Sequence, residues 1–338
     1  MLRCLCLVLA LLLHWTGASA GWLKEQADIM GTRIVVELYH DDPAIARQGV
    51  DAVLAEMRRI DAAMSPFIDT SELARVNRDA AKQAVPVSQE LFGLLQRAKR
   101  VSDLTGGAFD ITFASVGFLY DFRKGIRPDD QQRAKATALI NYHQLQLDPA
   151  RHTVHFGHPG MRIDLGGIAK GYAVDRCIAL LKKLGINNAL VRAGGDSRVT
   201  GSRWGRPWQI GVRDPRKRDG VVALIPLMDV AVSTSGDYER FFEQDGVRYH
   251  HIINPRTGDS ARELESATLI GPDATTTDAL STSVFVLGPK AGMALVNRLD
   301  GIDAIIVDRY GKLSYSDDLE PAKNPRAGVK APAEPVAR

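Results

Sequence analysis

The chain has 338 residues, 45% of them hydrophobic and 25% charged, with 43 Lys and Arg against 40 Asp and Glu. These proportions fit a soluble, enzyme-sized globular chain and exclude collagen-like, low-complexity and wholly disordered sequences. A formal net charge of +3 is too small to point to nucleic acid as the main partner.

The first twenty residues read as an export signal. Arg3 precedes an apolar run from Leu5 to Leu13, and Ala18-Ser19-Ala20 stands before Gly21. A charged start, a short apolar stretch and an A-x-A site predict cleavage after Ala20. The run is shorter than the ~20 apolar residues that span a bilayer. Gly21 stands where a lipid-carrying cysteine would have to be. Cleavage leaves Cys177 as the one cysteine, and its apolar helical setting predicts a buried thiol.

Thr32 to Leu38 reads as a strand rich in β-branched residues. Asp42-Pro43 opens a helix as N-cap and first-turn proline, with an apolar stripe at Val50, Val53, Leu54, Met57, Ile60 and Met64. A second helix begins at Ser88 and stops at Gly106-Gly107. Short strands are predicted at Thr153–Phe156 and Arg162–Leu165, then a helix from about Ile168 to Leu184. Further strands are expected at Ala189–Arg192, Trp208–Val212, Val221–Leu227, Val230–Ser233, Tyr249–Ile253 and Ala267–Ile270. Helices near Thr276–Leu287 and Lys290–Leu299 precede strands at Ala304–Val307 and Leu313–Tyr315. Several neighbouring strands are joined by connections too short for helical crossovers. The fold class that follows is α+β, with mixed or antiparallel sheets and packed helices. One domain is expected over residues 21–320, followed by an Ala- and Pro-rich disordered tail at 321–338.

The sequence lacks G-x-G-x-x-G, a Walker loop, H-E-x-x-H and G-x-S-x-G, which removes the common nucleotide-binding and hydrolase readings. Four local clusters remain. Asp164-Leu165-Gly166-Gly167-Ile168-Ala169-Lys170-Gly171 reads as an acid-ended strand turning into a helix. It is either an anion-binding turn with Lys170 as point charge or a plain tight turn. Asp278 and Thr282, four residues apart, share a helix face and offer hard oxygen ligands for Mg2+ or Ca2+. Thr275-x-x-Asp278 also has the form of a capping box, which would make Asp278 a helix-end residue only. In His250-His251, a ring titrating near neutrality can serve as a general base or be only a surface or core histidine, and strand alternation places the two rings on opposite faces, so they do not chelate one metal together. Gly106-Gly107-Ala108-Phe109-Asp110 and Gly194-Gly195-Asp196 can each be a simple turn.

In order, MGTRIVVEL (30–38), GGAFDIT (106–112), DLGGIAKGYAVD (164–175), AGGD (193–196), HHIINPRTG (250–258) and TTTDALSTSVFVLG (275–288) resemble the ApbE family. These are the FAD:protein FMN transferases of bacteria, and the resemblance runs from about residue 26 to residue 310. It implies an ApbE-like fold with flavin in a central cleft. The implied reaction is a Mg2+-dependent split of FAD, in which FMN passes through its phosphate to a Ser or Thr of an acceptor protein and AMP leaves. The resemblance puts the metal on Asp278, Thr282 and the backbone carbonyl of Gly167. It gives FAD to Met30, Ala108, Phe109, Asp110, Asp164, Lys170 and Ile252. Phe67 falls where relatives often carry a tyrosine near the flavin. Catalytic roles fall to Asp278 and His251, the latter as general base for the acceptor hydroxyl.

The export signal predicts a periplasmic protein, and the resemblance implies that its acceptor is a membrane-bound electron-transfer subunit. The chain departs from the family pattern at Phe113 to Phe122, where relatives continue with a Gly-Pro stretch and a tryptophan. Two other readings use the same residues: an FAD pyrophosphatase releasing FMN and AMP, and a periplasmic FAD-binding protein that aids maturation of a redox complex.

Overall fold

The computed structural model describes residues 21–217 and 220–319. The predicted export signal at 1–20 and the predicted tail at 321–338 lie outside the described residues. The central element is an eight-stranded sheet of β1 (Gly21–Ile29), β2 (Thr32–His40), β3 (Asn188–Ala193), β4 (Asp196–Thr200), β5 (Ala231–Gly236), β6 (Leu264–Gly271), β7 (Asp303–Asp308) and β8 (Leu313–Tyr315). Spatial order follows chain order, and every neighbouring pair is antiparallel. The protein is therefore α+β, as its short strand connections predict.

Three long helices pack on one face of this sheet: α1 (Pro43–Met64), α3 (Ala169–Lys183) and α4 (Ala274–Val296). A fourth, α2 (Gln89–Leu104), lies in the insert between β2 and β3. In α1 the predicted stripe is buried at Val50, Val53, Met57, Ile60 and Met64, and Asp42 caps the helix by accepting from Ala44 N at 2.8 Å. In β3, Ala189, Val191 and Ala193 join the helix-side core, while Leu190 joins a smaller cluster with Trp208 and Ile210. Both faces of the strand are thus covered: helices lie on one and the hairpin Trp208–Arg213/Val221–Leu227 on the other. Cys177 is fully buried on α3, and burial pushes its thiol pKa up, which keeps it an inert packing residue.

Three predicted segments differ from the sequence expectation. Arg162–Leu165 is extended but joins no ladder, because the Asn77 side chain supplies the partner a strand would have given. Asn77 donates to Ile163 O at 2.9 Å and accepts from Ile163 N at 2.8 Å. Tyr249–Ile253 is two short strands, Val247–His250 and Ile253–Asn254, with His251 and Ile252 in the break. The two late helices run as α4 with a kink at Gly288, whose φ of 76° lies outside the helical region, and the second part ends at Val296. Gly194-Gly195 is the turn of a hairpin, and Asp196 opens β4.

Candidate active site

The site is built where the N-terminal turns of α3 and α4 cross. Gly171 makes the close approach possible, since a Cβ there would lie 2.1 Å from Ala274 O and 2.8 Å from the Asp278 Cβ. Its backbone N–H donates to Asp278 Oδ2 at 2.9 Å. The start of α4 is fixed twice. Asp273 is the N-cap and accepts from Thr276 N at 2.9 Å. Asp175, the last residue of DLGGIAKGYAVD, accepts from Ala274 N at 2.9 Å, Thr275 N at 2.8 Å and the Thr275 hydroxyl at 2.5 Å. The capping-box alternative for Asp278 is therefore excluded: the cap belongs to Asp273, and the Asp278 carboxylate turns toward α3.

Asp278 is 2% exposed and receives the Lys170 ammonium at 3.4 Å and 3.5 Å on its two oxygens. Lys170 Nζ also donates to Asp196 Oδ2, and that contact is the shorter one. Burial, with the Asp196 charge beside it, pushes the Asp278 pKa above the usual carboxylate range. Burial opposes the Lys170 charge, but the two carboxylates outweigh it and hold the ammonium pKa above its ordinary value. One helical turn on, Thr282 Oγ1 lies 3.3 Å from Ser235 Oγ on β5. It also stands 3.2 Å from where a Gly167 Cβ would sit, with the Phe109 ring at the same distance on that glycine. Gly167, Phe109, Lys170, Asp278 and Thr282 thus meet in one place.

Asp164 and His251 border this group. Asp164 accepts from Gly166 N at 2.5 Å and feels both Lys170 and Arg240. Burial raises its pKa. His251 Nδ1 is buried with no hydrogen-bond partner. Burial, helped by the neighbouring cations, pushes the His251 pKa down to about 3, so the ring is neutral at pH 7. His250 is fully engaged: Nε2 donates to Ala261 O at 2.6 Å and Nδ1 accepts from Ile252 N at 3.3 Å. It packs edge-on to Phe285, and burial lowers its pKa to about 4. The two histidines therefore differ: both ring nitrogens of His250 are hydrogen-bonded, whereas Nδ1 of His251 has no partner.

The remaining predicted residues sit as follows. Met30, at φ 56°, and Gly31, at φ 65°, form the two-residue turn between β1 and β2. The Arg240 guanidinium donates to Gly31 O at 3.2 Å, and its backbone carbonyl accepts from His251 N at 3.1 Å, which ties that turn to the histidine segment. Ala108 and Ile252 are buried in the protein interior. Asp110 accepts from Thr112 N at 2.8 Å, Thr112 Oγ1 at 2.6 Å and Tyr142 N at 3.0 Å, so its side chain holds the local turn. Phe67 is 74% exposed, and its ring meets Phe118 at 5.8 Å. Phe118 belongs to the divergent Phe113–Phe122 segment and carries Arg162 over its ring at 5.2 Å.

Comparison with known proteins decides the family. A profile described as the ApbE family matches residues 30–306. The chain belongs to the ApbE family. It is 34% identical over 298 residues to the FAD:protein FMN transferase of Treponema pallidum, covering 82% of each chain. It is 33% identical to a Klebsiella pneumoniae protein of the same name, covering 84% of this chain and 88% of that one. Among solved structures, the ApbE protein of Thermotoga maritima superposes with a TM-score of 0.82 at 36% identity, covering 88% of this chain and 98% of that one. The flavin transferase ApbE of Vibrio cholerae gives 0.79 at 28% identity, covering 89% and 99%.

Three residues of this ApbE chain were not singled out as site residues from sequence: Asp175, Asp196 and Arg240. Asp175 and Asp196 stand inside quoted motifs, yet their roles depend on which strand or helix they face, and no local spacing states that. Arg240 lies just before the strand Phe241–Gln244 with no pattern of its own.

Proposed function

We propose that this ApbE-family chain is an FAD:protein FMN transferase whose site is the crossing of α3 and α4. The observation that carries the reading is the meeting of Asp278, Thr282 and Gly167 beside Lys170, with a neutral, unpartnered His251 Nδ1 near the same ammonium. The donor chemistry fits Mg2+, because a carboxylate, a hydroxyl and a backbone carbonyl are hard oxygen ligands with no thiolate or imidazole among them. Asp278, Thr282 and the Gly167 carbonyl would hold the ion. When bound, it supplies charge neutralisation at the diphosphate.

The residues of the chain do the rest. Lys170, in the first turn of α3, brings its ammonium to the site and is suited to phosphate oxygens. The acceptor Oγ forms a bond to the FMN-side phosphorus while the phosphorus–oxygen bond to AMP breaks. The hydroxyl proton passes to His251 Nδ1, and AMP departs with the bonding electron pair. Burial makes this imidazole a weak base in the free protein. An arriving diphosphate brings negative charge beside it and raises its basicity. Phosphoryl transfer of this kind needs alignment and charge stabilisation and no protein nucleophile.

The export pattern of residues 1–20 supports a periplasmic location. The family resemblance supports a membrane-bound electron-transfer subunit as acceptor. Chromatography of nucleotide products, with and without an acceptor carrying the target hydroxyl, tests the reaction. AMP that forms only with acceptor present is the expected result. Equal AMP and free FMN without acceptor would replace transfer by FAD hydrolysis.

A further inference from the structure

The Gly194-Gly195 turn delivers an acid to the site. Gly194 has φ +62°, and a Cβ on Gly195 would lie 2.5 Å from Thr234 O, so the hairpin can fold this closely against β5 only with glycine. Asp196 then points to the helix side of the sheet and is 2% exposed. Arg198, two residues on and facing the same side, pairs with Asp175 at 2.6 Å. β4 therefore meets α3 through two ion pairs, Asp196 with Lys170 and Arg198 with Asp175.

The arrangement of the first pair has a consequence for any cation at Asp278. Lys170 Nζ lies between two carboxylates, closer to Asp196 than to Asp278. An ammonium on Asp278 competes with a divalent ion for the same oxygens. Asp196 draws it aside. It also leaves the three charges, two carboxylates and one ammonium, with a net negative sum, whereas Lys170 and Asp278 alone sum to zero. In a buried setting a charge of this kind acts strongly on its neighbours.

We propose that Asp196 is a positioning residue for the divalent-cation site: by holding Lys170 Nζ it keeps the Asp278 carboxylate open to the ion and supplies the second negative charge. This rests on the reading of Asp278 as a metal ligand. The test is Mn2+ binding to the FAD-free protein, followed by the electron paramagnetic resonance of free ion. Asp196→Asn should bind Mn2+ at least about tenfold more weakly than wild type. Lys170→Gln should bind no more weakly than wild type. The double variant Asp196→Asn/Lys170→Gln should return to within about threefold of wild type, because the competing ammonium is gone.

A purely structural role for Asp196 would leave the double variant as weak as the single one. That result, or unchanged binding in Asp196→Asn, overturns the proposal. Wild-type binding that survives in Asp278→Ala would instead overturn the metal reading and the proposal with it. This outcome is recognised without any Asp196 variant, so the two failures stay distinct.

Discussion

The turn at Ala108–Thr112 and the crossing of α3 with α4 each bury an aspartate, and the partners of the carboxylate separate the two regions. Asp110 accepts three hydrogen bonds, two from backbone N–H groups and one from a neighbouring hydroxyl. Asp278 accepts one backbone N–H and shares an ammonium that sits closer to another acid. A carboxylate with its lone pairs spent on local donors holds a fold together. One with lone pairs to spare, beside a lysine held by a second acid, is equipped to take a cation. Burial alone does not distinguish these cases, since both side chains are nearly inaccessible.

The comparison can be broken most directly at Asp278. Asp278→Ala should lower FMN transfer by about a thousandfold while the circular dichroism spectrum stays native, as expected for loss of charge stabilisation at a phosphoryl centre. A variant that retains more than a tenth of the rate would remove Asp278 from the chemistry. Gly171→Ala attacks the same crossing through packing. Its methyl would meet the Ala274 carbonyl, and a loss of about 3 kcal/mol in urea unfolding is expected. Asp110→Ala should cost about 2 kcal/mol by leaving two backbone donors and a hydroxyl without their acceptor. Loss of activity that follows the fraction unfolded would make the side chain structural, and a rate effect at full foldedness would be the mark of the FAD contact that the resemblance gives Asp110.

The smallest expected effect concerns pH. His250 is buried and neutral with its pKa lowered to about 4, against 6.5 for a free histidine. The unfolded chain therefore binds the proton more readily, and stability falls as pH drops from 6.5 toward 4. The loss from this ring is roughly 1 kcal/mol by pH 5.5. Urea midpoints of wild type and His250→Gln at pH 7.5 and 5.5 measure it. The wild-type drop should exceed that of the variant, and parallel curves would remove His250 as its source.

Legibility in the sequence followed how local each signal was. α1 was readable to its first residue, because Asp42-Pro43 and a three-four apolar spacing are local instructions. Asp278 and Thr282 were readable as a pair by their spacing, but spacing left metal ligand and helix cap equal in form. Asp273 and Asp175, which cap the helix, exclude the cap reading through contacts spanning up to about a hundred residues of chain. β1 was missed because an edge strand exposed on alternate positions carries little apolar signal. Arg162–Leu165 misled for the opposite reason: its apolar residues are buried, but its hydrogen-bond partner is a side chain.

Intact-mass measurement of a candidate acceptor after incubation with this protein, FAD and Mg2+ tests the central claim most directly. The account predicts a gain of one FMN on the acceptor, lost when the acceptor's target Ser or Thr is replaced by Ala, with AMP formed in equal amount. An acceptor of unchanged mass while AMP and free FMN accumulate would contradict it.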